Sequence, residues 1–207
     1  MTHIDNIVHI LKYGITHKNS ANANPDFISI GDKSLIDTRE HKRVIVNNGD
    51  LFNNGAAITL GDYIPFYFGV KMPMLYVVQN GGNFVEQPTK AESIIYLACH
   101  LSQIVASDLT YYFCDGHATD NFTTFYDKKL VKELTTLIDW NAIKAQYWGG
   151  NENLNLKRKK QAEFLVAEDL PPDYIANFGC YSEVAKNKLV DMGIADSKIK
   201  VIKNCYF

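Results

Sequence analysis

Cysteine is sparse and unpatterned. Cys99, Cys114, Cys180 and Cys205 are scattered without CxxC or CxxH spacing. A zinc site and a disulfide-stapled secreted domain both need closely spaced cysteines, so neither is expected, and a reducing, cytoplasmic compartment is the simplest assignment. Long apolar runs are also missing. The best stretch, residues 63–78, is broken by Pro65, Gly69, Lys71 and Pro73, whereas a bilayer span needs about 20 apolar residues; no membrane association is expected. The opening Met1-Thr2-His3-Ile4-Asp5 lacks a basic segment leading into an apolar one, so no secretory leader is expected. Charge of one sign is not in excess: 21 Lys and Arg face 23 Asp and Glu, a net charge of −2. Any polyanionic partner must therefore be held by a local patch rather than by a global field. P-loop, GxGxxG, GxSxG and HExxH patterns are all absent, which removes the familiar phosphate-binding, dinucleotide-binding, hydrolase and zincin chemistries.

What remains is enough for a core: 207 residues, 46% hydrophobic and 21% charged, are read as one domain over 1–207. Ile7, Ile10 and Leu11 predict a short helix, with Asp5 as its N-cap and Gly14 as its end. Residues 18–54 are polar, rich in Asn and Gly, and interrupted only by Phe27-Ile28-Ser29-Ile30 and Val44-Ile45-Val46, a composition that suits a functional loop. Met74-Leu75-Tyr76-Val77-Val78 predicts a buried strand stopped by Asn80-Gly81-Gly82, and residues 89–105, with Thr89 and Glu92 at capping-box spacing, predict a long helix. A strand over 110–114 precedes the turn Asp115-Gly116-His117-Ala118-Thr119. Asp127 and Asp139 are placed to cap two helices, the second reaching Tyr147, and the basic run Lys157-Arg158-Lys159-Lys160 reads as a polar loop. A strand over 162–166, a helix over 182–192 and a strand over 199–202 follow. Strands and helices do not alternate regularly, so the fold class is α+β.

Glu163 is the most informative residue, set among Ala162, Phe164, Leu165 and Val166. A carboxylate on a buried strand costs several kcal/mol unless it is paired or solvated at a cleft. The alternative is a Glu on the polar face of an edge strand, bridged to a preceding lysine. Arginine is scarce, with only Arg39, Arg43 and Arg158 present, so two arginines four apart in the polar 18–54 segment stand out as phosphate-contacting forks. They also read as a solvated pair beside Asp37, Glu40 and His41. The 157–160 run is either a solubilising loop or a phosphate-attracting patch beside Glu163. His117, in a glycine-containing turn after a strand, is better placed for a site than His3. The aromatics around Tyr63, Phe66, Tyr67, Phe68, Tyr76, Tyr111 and Tyr112 suit either base stacking or a core.

Taken in order, Thr2-His3-Ile4-Asp5-Asn6, Ile30-Gly31 with Leu35-Ile36 and Arg39, Asp62-Tyr63-Ile64-Pro65-Phe66-Tyr67-Phe68, Pro73-Met74-Leu75-Tyr76, Asp115-Gly116-His117-Ala118-Thr119, Tyr147-Trp148 and Lys160-Gln161-Ala162-Glu163-Phe164-Leu165-Val166 strongly resemble the DarT family of DNA ADP-ribosyltransferase toxins. The resemblance implies an ADP-ribosyltransferase-like fold, a split and mostly antiparallel sheet around an NAD cleft with flanking helices. It implies NAD as co-substrate, no metal, and transfer of ADP-ribose to a base of single-stranded DNA with release of nicotinamide. Glu163 and Arg39 fall on its catalytic positions, Thr2, His3 and Arg39 on its NAD contacts, and Met74, His117 and Lys157 on its DNA side. A DarG-like macrodomain antitoxin is the implied partner, and thymine is placed ahead of guanine as the target base. The sequence departs from the family pattern in two places. Met1 stands where a Tyr-His pair usually precedes Thr-His, and Lys71-Met72-Pro73 replaces a Pro-Arg-Ser-Pro stretch. Rival readings are transfer to RNA or protein, and a catalytically inactive nucleic-acid-binding module.

Overall fold

The computed structural model describes residues 1–50, 52–82, 85 and 87–207. In chain order the elements are β1 (Thr2–His3), α1 (Ile7–Tyr13), α2 (Lys33–His41), β2 (Arg43–Val46), β3 (Ala56–Thr59), β4 (Ile64–Tyr67), α3 (Pro73–Asn80), β5 (Ile94–Cys99) and α4 (Leu101–Val105). There follow β6 (Tyr111–Cys114), β7 (Phe125–Tyr126), α5 (Leu134–Leu137), α6 (Trp140–Lys144), α7 (Leu154–Lys160), β8 (Glu163–Val166), β9 (Ile175–Cys180), α8 (Glu183–Asp191) and β10 (Ile199–Val201). They gather into two compact units, each built from separated stretches of chain: 1–32, 74–108 and 168–207 in one, 33–73 and 109–167 in the other.

The first unit is organised on the sheet β1-β5-β9-β10, antiparallel except for the β9–β10 pair. Successive residues of β5 point to opposite faces, and both faces are covered. Ile95 packs with Ile7, Ile10, Phe178 and Leu189, whereas Ile94 packs with Leu75, Val78 and Tyr206. This double burial overturns the long helix expected over 89–105. A strand buried on both sides needs no polar face, so Ile94 to Leu97 reads like part of a helix stripe while pairing as β5; Ala91–Ser93 is a single 3-10 turn, and only Leu101–Val105 is α-helical.

Residues 74–78 are corrected in the opposite sense. They belong to α3, with Pro73 as its first residue, where its missing N–H costs nothing. Leu75 and Val78, three apart, are buried, and Gly81 at φ 76° donates its N–H to Val77 and ends the helix. Asp5 does not cap α1: it sits in a 3-10 turn over Ile4–Asn6, where the His3 ring accepts the Asp5 N–H. Gly14 does end α1, at φ 82°. Ser182 caps α8 by accepting the Ala185 N–H.

The second unit holds the sheet β4-β8-β6-β7, antiparallel throughout, and the hairpin β2–β3. β8 is interior, and all four of its residues are buried. Phe164 and its cross-strand partner Phe113 occupy one face. On the other, Leu165 joins Val46, Ile58, Leu60, Cys114, Ala118 and Phe125 in a core beneath the β2–β3 hairpin. The polar 18–54 segment is thus only partly loop, since α2 and β2 lie within it. Asp127 caps a 3-10 segment leading into α5, and Asp139 caps α6 by accepting the Ala142 N–H at 3.0 Å; α6 stops at Lys144, short of Tyr147. The 157–160 run is not a loop: it forms the end of α7, with Arg158 and Lys160 buried and Lys157 exposed.

Candidate active site

Glu163 opens β8, and its neighbours across the ladder are Tyr67 on β4 and Cys114 on β6. Directly opposed residues of antiparallel strands share a face, so the three side chains form a row, with the carboxylate in the middle and fully buried. A charge there needs partners for both oxygens. Oε2 accepts from Arg39 Nη1 at 2.8 Å, and Oε1 accepts the backbone N–H of Ala118 at 2.9 Å. The edge-strand alternative, with a lysine bridge, is therefore excluded, as is a solvated Arg39 paired with its helix neighbours.

Arg39 reaches the carboxylate from α2, whose backbone lies so close to Gly61 that a Cβ there would stand 2.7 Å from the Glu40 Cα. Glycine at 61 lets the helix settle at that distance. The Arg39 side chain is only 15% exposed. Burial works against its charge, but Glu163 outweighs burial and raises the Arg39 pKa above its ordinary value. Its Nη2 is buried and has no hydrogen-bond partner. A buried donor left unspent on a cation is costly unless a ligand completes it.

Ala118 belongs to the turn after β6, which is pinned at several points. Arg158 Nη1 donates to Asp115 Oδ1 at 2.9 Å, the His117 N–H donates to the Arg158 carbonyl at 3.0 Å, and Lys42 Nζ donates to the Thr119 carbonyl at 2.6 Å. The His117 ring, with Nδ1 2.7 Å from Thr119 Oγ1, has its pKa lowered first by burial, the Glu163 charge only partly offsetting this. Its imidazole is therefore neutral near pH 7. Burial beside Glu163 raises the Tyr67 and Cys114 pKa values, so both groups stay protonated. Lys157 is exposed, its Nζ 5.5 Å from the Trp148 ring centroid, and its charge is felt at His117.

Arg39, His117, Lys157 and Glu163 thus fall in the second unit, while Thr2, His3 and Met74 fall in the first. Thr2 is buried with its Oγ1 accepting from Asn6 at 2.9 Å, and Met74 packs beside Leu75 and Val78. Sequence reasoning missed the Ala118 amide, the flanking Tyr67 and Cys114, and the Asp115–Arg158 pair. Strand register exposes Tyr67 and Cys114, and only the folded turn, which Gly116 marked, exposes the Ala118 amide. Among the described residues no group of three or more His, Cys, Asp or Glu side chains is arranged to hold a metal ion, and no helix is long and apolar enough to cross a membrane.

Comparison with known proteins agrees with this chemistry. The family model described as "ssDNA thymidine ADP-ribosyltransferase, DarT" matches residues 1–207. A DNA ADP-ribosyl transferase of Thermus sp. (strain 2.9) is 32% identical over 185 residues, covering 88% of this chain and 80% of that protein. The solved Thermus sp. 2.9 DarT in complex with ADP-ribosylated ssDNA superposes with a TM-score of 0.81 at 28% identity, covering all of this chain and 93% of that one, and its NAD+ complex gives 0.75 at 27% identity, with coverage of 100% and 94%. A DNA ADP-ribosyl transferase–DNA ADP-ribosyl glycohydrolase fusion protein of Thermosipho africanus is 28% identical over 189 residues, 90% of this chain and 43% of that protein. The interior glutamate, the matching model and the superposition together establish that this chain belongs to the DarT family of NAD-dependent DNA ADP-ribosyltransferases.

Proposed function

We propose that this chain transfers ADP-ribose from NAD to a thymine of single-stranded DNA, with Glu163 as the catalytic carboxylate and Arg39 as the cation that orders it and receives the substrate. The observation that carries this reading is the buried Glu163–Arg39 pair with Arg39 Nη2 left without an acceptor. A pyrophosphate oxygen or a base carbonyl is the chemistry that such a donor fits. NAD supplies the ADP-ribosyl group and nicotinamide as its leaving group.

Glu163, held at both oxygens, presents a fixed negative charge to the positive charge that nicotinamide departure leaves on the ribose, and it needs no reorganisation to do so. Arg39, held charged by Glu163, works as a hydrogen-bond donor rather than as a base. The proton leaving the attacking thymine nitrogen needs a base, and the site offers the Glu163 carboxylate and the neutral His117 ring. Thr2 and His3 serve as NAD contacts and Met74, His117 and Lys157 as DNA contacts, by the family resemblance. Lys157 is the exposed cation among them. Single strands are the substrate because a base read in a pocket must first leave its stack. The family description supports thymine as the acceptor, and the glycohydrolase fused to the Thermosipho relative supports a toxin role with a separate DarG-like macrodomain antitoxin that removes the mark.

The test is incubation of the chain with NAD and oligonucleotides differing only at one base, beside an RNA of the same sequence, read by intact mass. One added ADP-ribosyl group on the thymine strand is expected. Gain on guanine strands alone overturns the base assignment, gain on RNA alone overturns the acceptor class, and no gain with NAD intact leaves a binding module.

A further inference from the structure

Arg158 pairs with Asp115 and not with Glu163, whose partners are Arg39 and the Ala118 N–H. It nevertheless holds the 115–119 turn from both ends of its own residue. Its guanidinium donates to Asp115 Oδ1 at 2.9 Å and to Thr123 Oγ1 at 3.3 Å, while its main-chain carbonyl accepts the His117 N–H at 3.0 Å. Asp115 Oδ1 also accepts the Thr124 N–H at 2.9 Å, and Thr123 Oγ1 donates to the His117 carbonyl at 2.8 Å. The guanidinium rests against Gly116 so closely that a Cβ there would stand 2.4 Å from Nη1. Arg158 is 9% exposed and its partner Asp115 21%. Arg158 Nε donates to Asn155 Oδ1 on its own helix, which leaves Nη1 for the loop; a buried arginine so committed is an expensive device, and within the turn it holds lies Ala118, whose N–H ends on Glu163 Oε1.

We infer that Asp115 and Arg158 are positioning residues for the transfer reaction, setting the turn so that the Ala118 N–H fixes the orientation of Glu163 and His117 stands beside it. This rests on Glu163 being the catalytic carboxylate. Neither side chain of the pair is assigned to substrate, so its effect falls chiefly on rate. Its loss lets the carboxylate rotate about its remaining bond to Arg39, and a misplaced catalytic group costs rate rather than binding.

The experiment uses the full chain with Arg158→Gln, Asp115→Asn and the double variant. It measures transfer kinetics with NAD and a thymine-containing strand, thermal unfolding, and hydrogen exchange at the Ala118 amide. In Arg158→Gln, kcat is expected to fall about tenfold to a hundredfold while the KM for NAD and the affinity for DNA stay within about threefold. The double variant is expected to be no slower than the slower single variant, as for two residues acting as one unit. Ala118 is expected to lose exchange protection while β6 and β8 keep theirs. Unchanged kcat in a folded variant with Ala118 still protected overturns the inference, and so does a loss confined to DNA affinity. If Arg158→Gln fails to fold, Asp115→Asn, at a more exposed position, carries the same test. If the wild-type chain modifies no strand, the proposed function falls, and exchange at Ala118 still decides whether the pair sets the turn.

Discussion

Glu163 and Arg39 lie 124 residues apart in the chain and 2.8 Å apart in space, carboxylate oxygen to guanidinium nitrogen, with the carboxylate closed off from water. Neither charge is tolerable there alone, and the geometry leaves one guanidinium nitrogen unspent. The pair is therefore a structural requirement of the second unit and, in the function proposed, an incomplete binding site, and its two members can be separated by substitution.

Glu163→Gln keeps the shape and an oxygen for the Ala118 N–H but removes the charge. The cost of leaving Arg39 without its counter-ion is about 3 kcal/mol, at the low end for a broken buried pair because Arg39 keeps some exposure. A lowered melting temperature is expected, together with a fall in transfer of about a thousandfold. Chemical denaturation and single-turnover transfer to an oligonucleotide check both. Wild-type rates in a folded Glu163→Gln chain would remove Glu163 from the chemistry.

Arg39→Lys separates the two duties of the arginine. A lysine ammonium can pair with Glu163, but it cannot also present a second, fixed nitrogen to substrate. Stability close to wild type is expected, with transfer reduced about a hundredfold and weaker NAD binding by calorimetry. Full activity in the lysine variant would show that Nη2 receives nothing.

His117 gives the site a pH signature. Burial lowers its folded pKa below the unfolded value of about 6.5. The folded state therefore prefers the neutral ring, and the stability this contributes is complete above the unfolded pKa. It is lost as pH falls through the lowered folded pKa. A ring-carbon NMR titration should place the His117 midpoint below that of free histidine, and His117→Gln should flatten the acid limb of the stability curve. A midpoint above about 6.5 would mean that Glu163, not burial, dominates the ring.

The α+β class and the strand carrying Glu163 were legible because a glutamate inside a run of apolar residues allows few placements. The cap residue Asp139 and the terminator Gly14 were legible for equally local reasons. Residues 74–78 and 94–99 were exchanged between helix and strand because both are short apolar runs whose period is ambiguous, and only the covering of both faces of β5 resolves the second. The partner of Glu163 could not be read at all from spacing, since α2 and β8 meet only through tertiary packing. The Ala118 contact is made by backbone, which carries no side-chain signal. Family resemblance named Arg39 and Glu163, but the geometry of their pairing came from the fold.

Burial divides the basic run 157–160 into a lysine open to solvent and a structural one. Lys157 is exposed over Trp148, whereas Lys160 is 1% exposed and donates to the Ile143 carbonyl near the end of α6 at 2.9 Å. Burial first, and then the charge of Lys71, lower the Lys160 pKa. If Lys157 neutralises one phosphate of a single strand, Lys157→Gln should weaken DNA binding uniformly across sequences and reduce the slope of log affinity against log salt by about 0.7. Lys160→Met should leave that slope unchanged, because a side chain closed to solvent meets no phosphate, and its effect should appear in unfolding instead. Fluorescence anisotropy across a salt series measures both slopes. An unchanged slope in Lys157→Gln would take that lysine out of the DNA interface, and a reduced one in Lys160→Met would mean that the end of α7 opens when the strand binds.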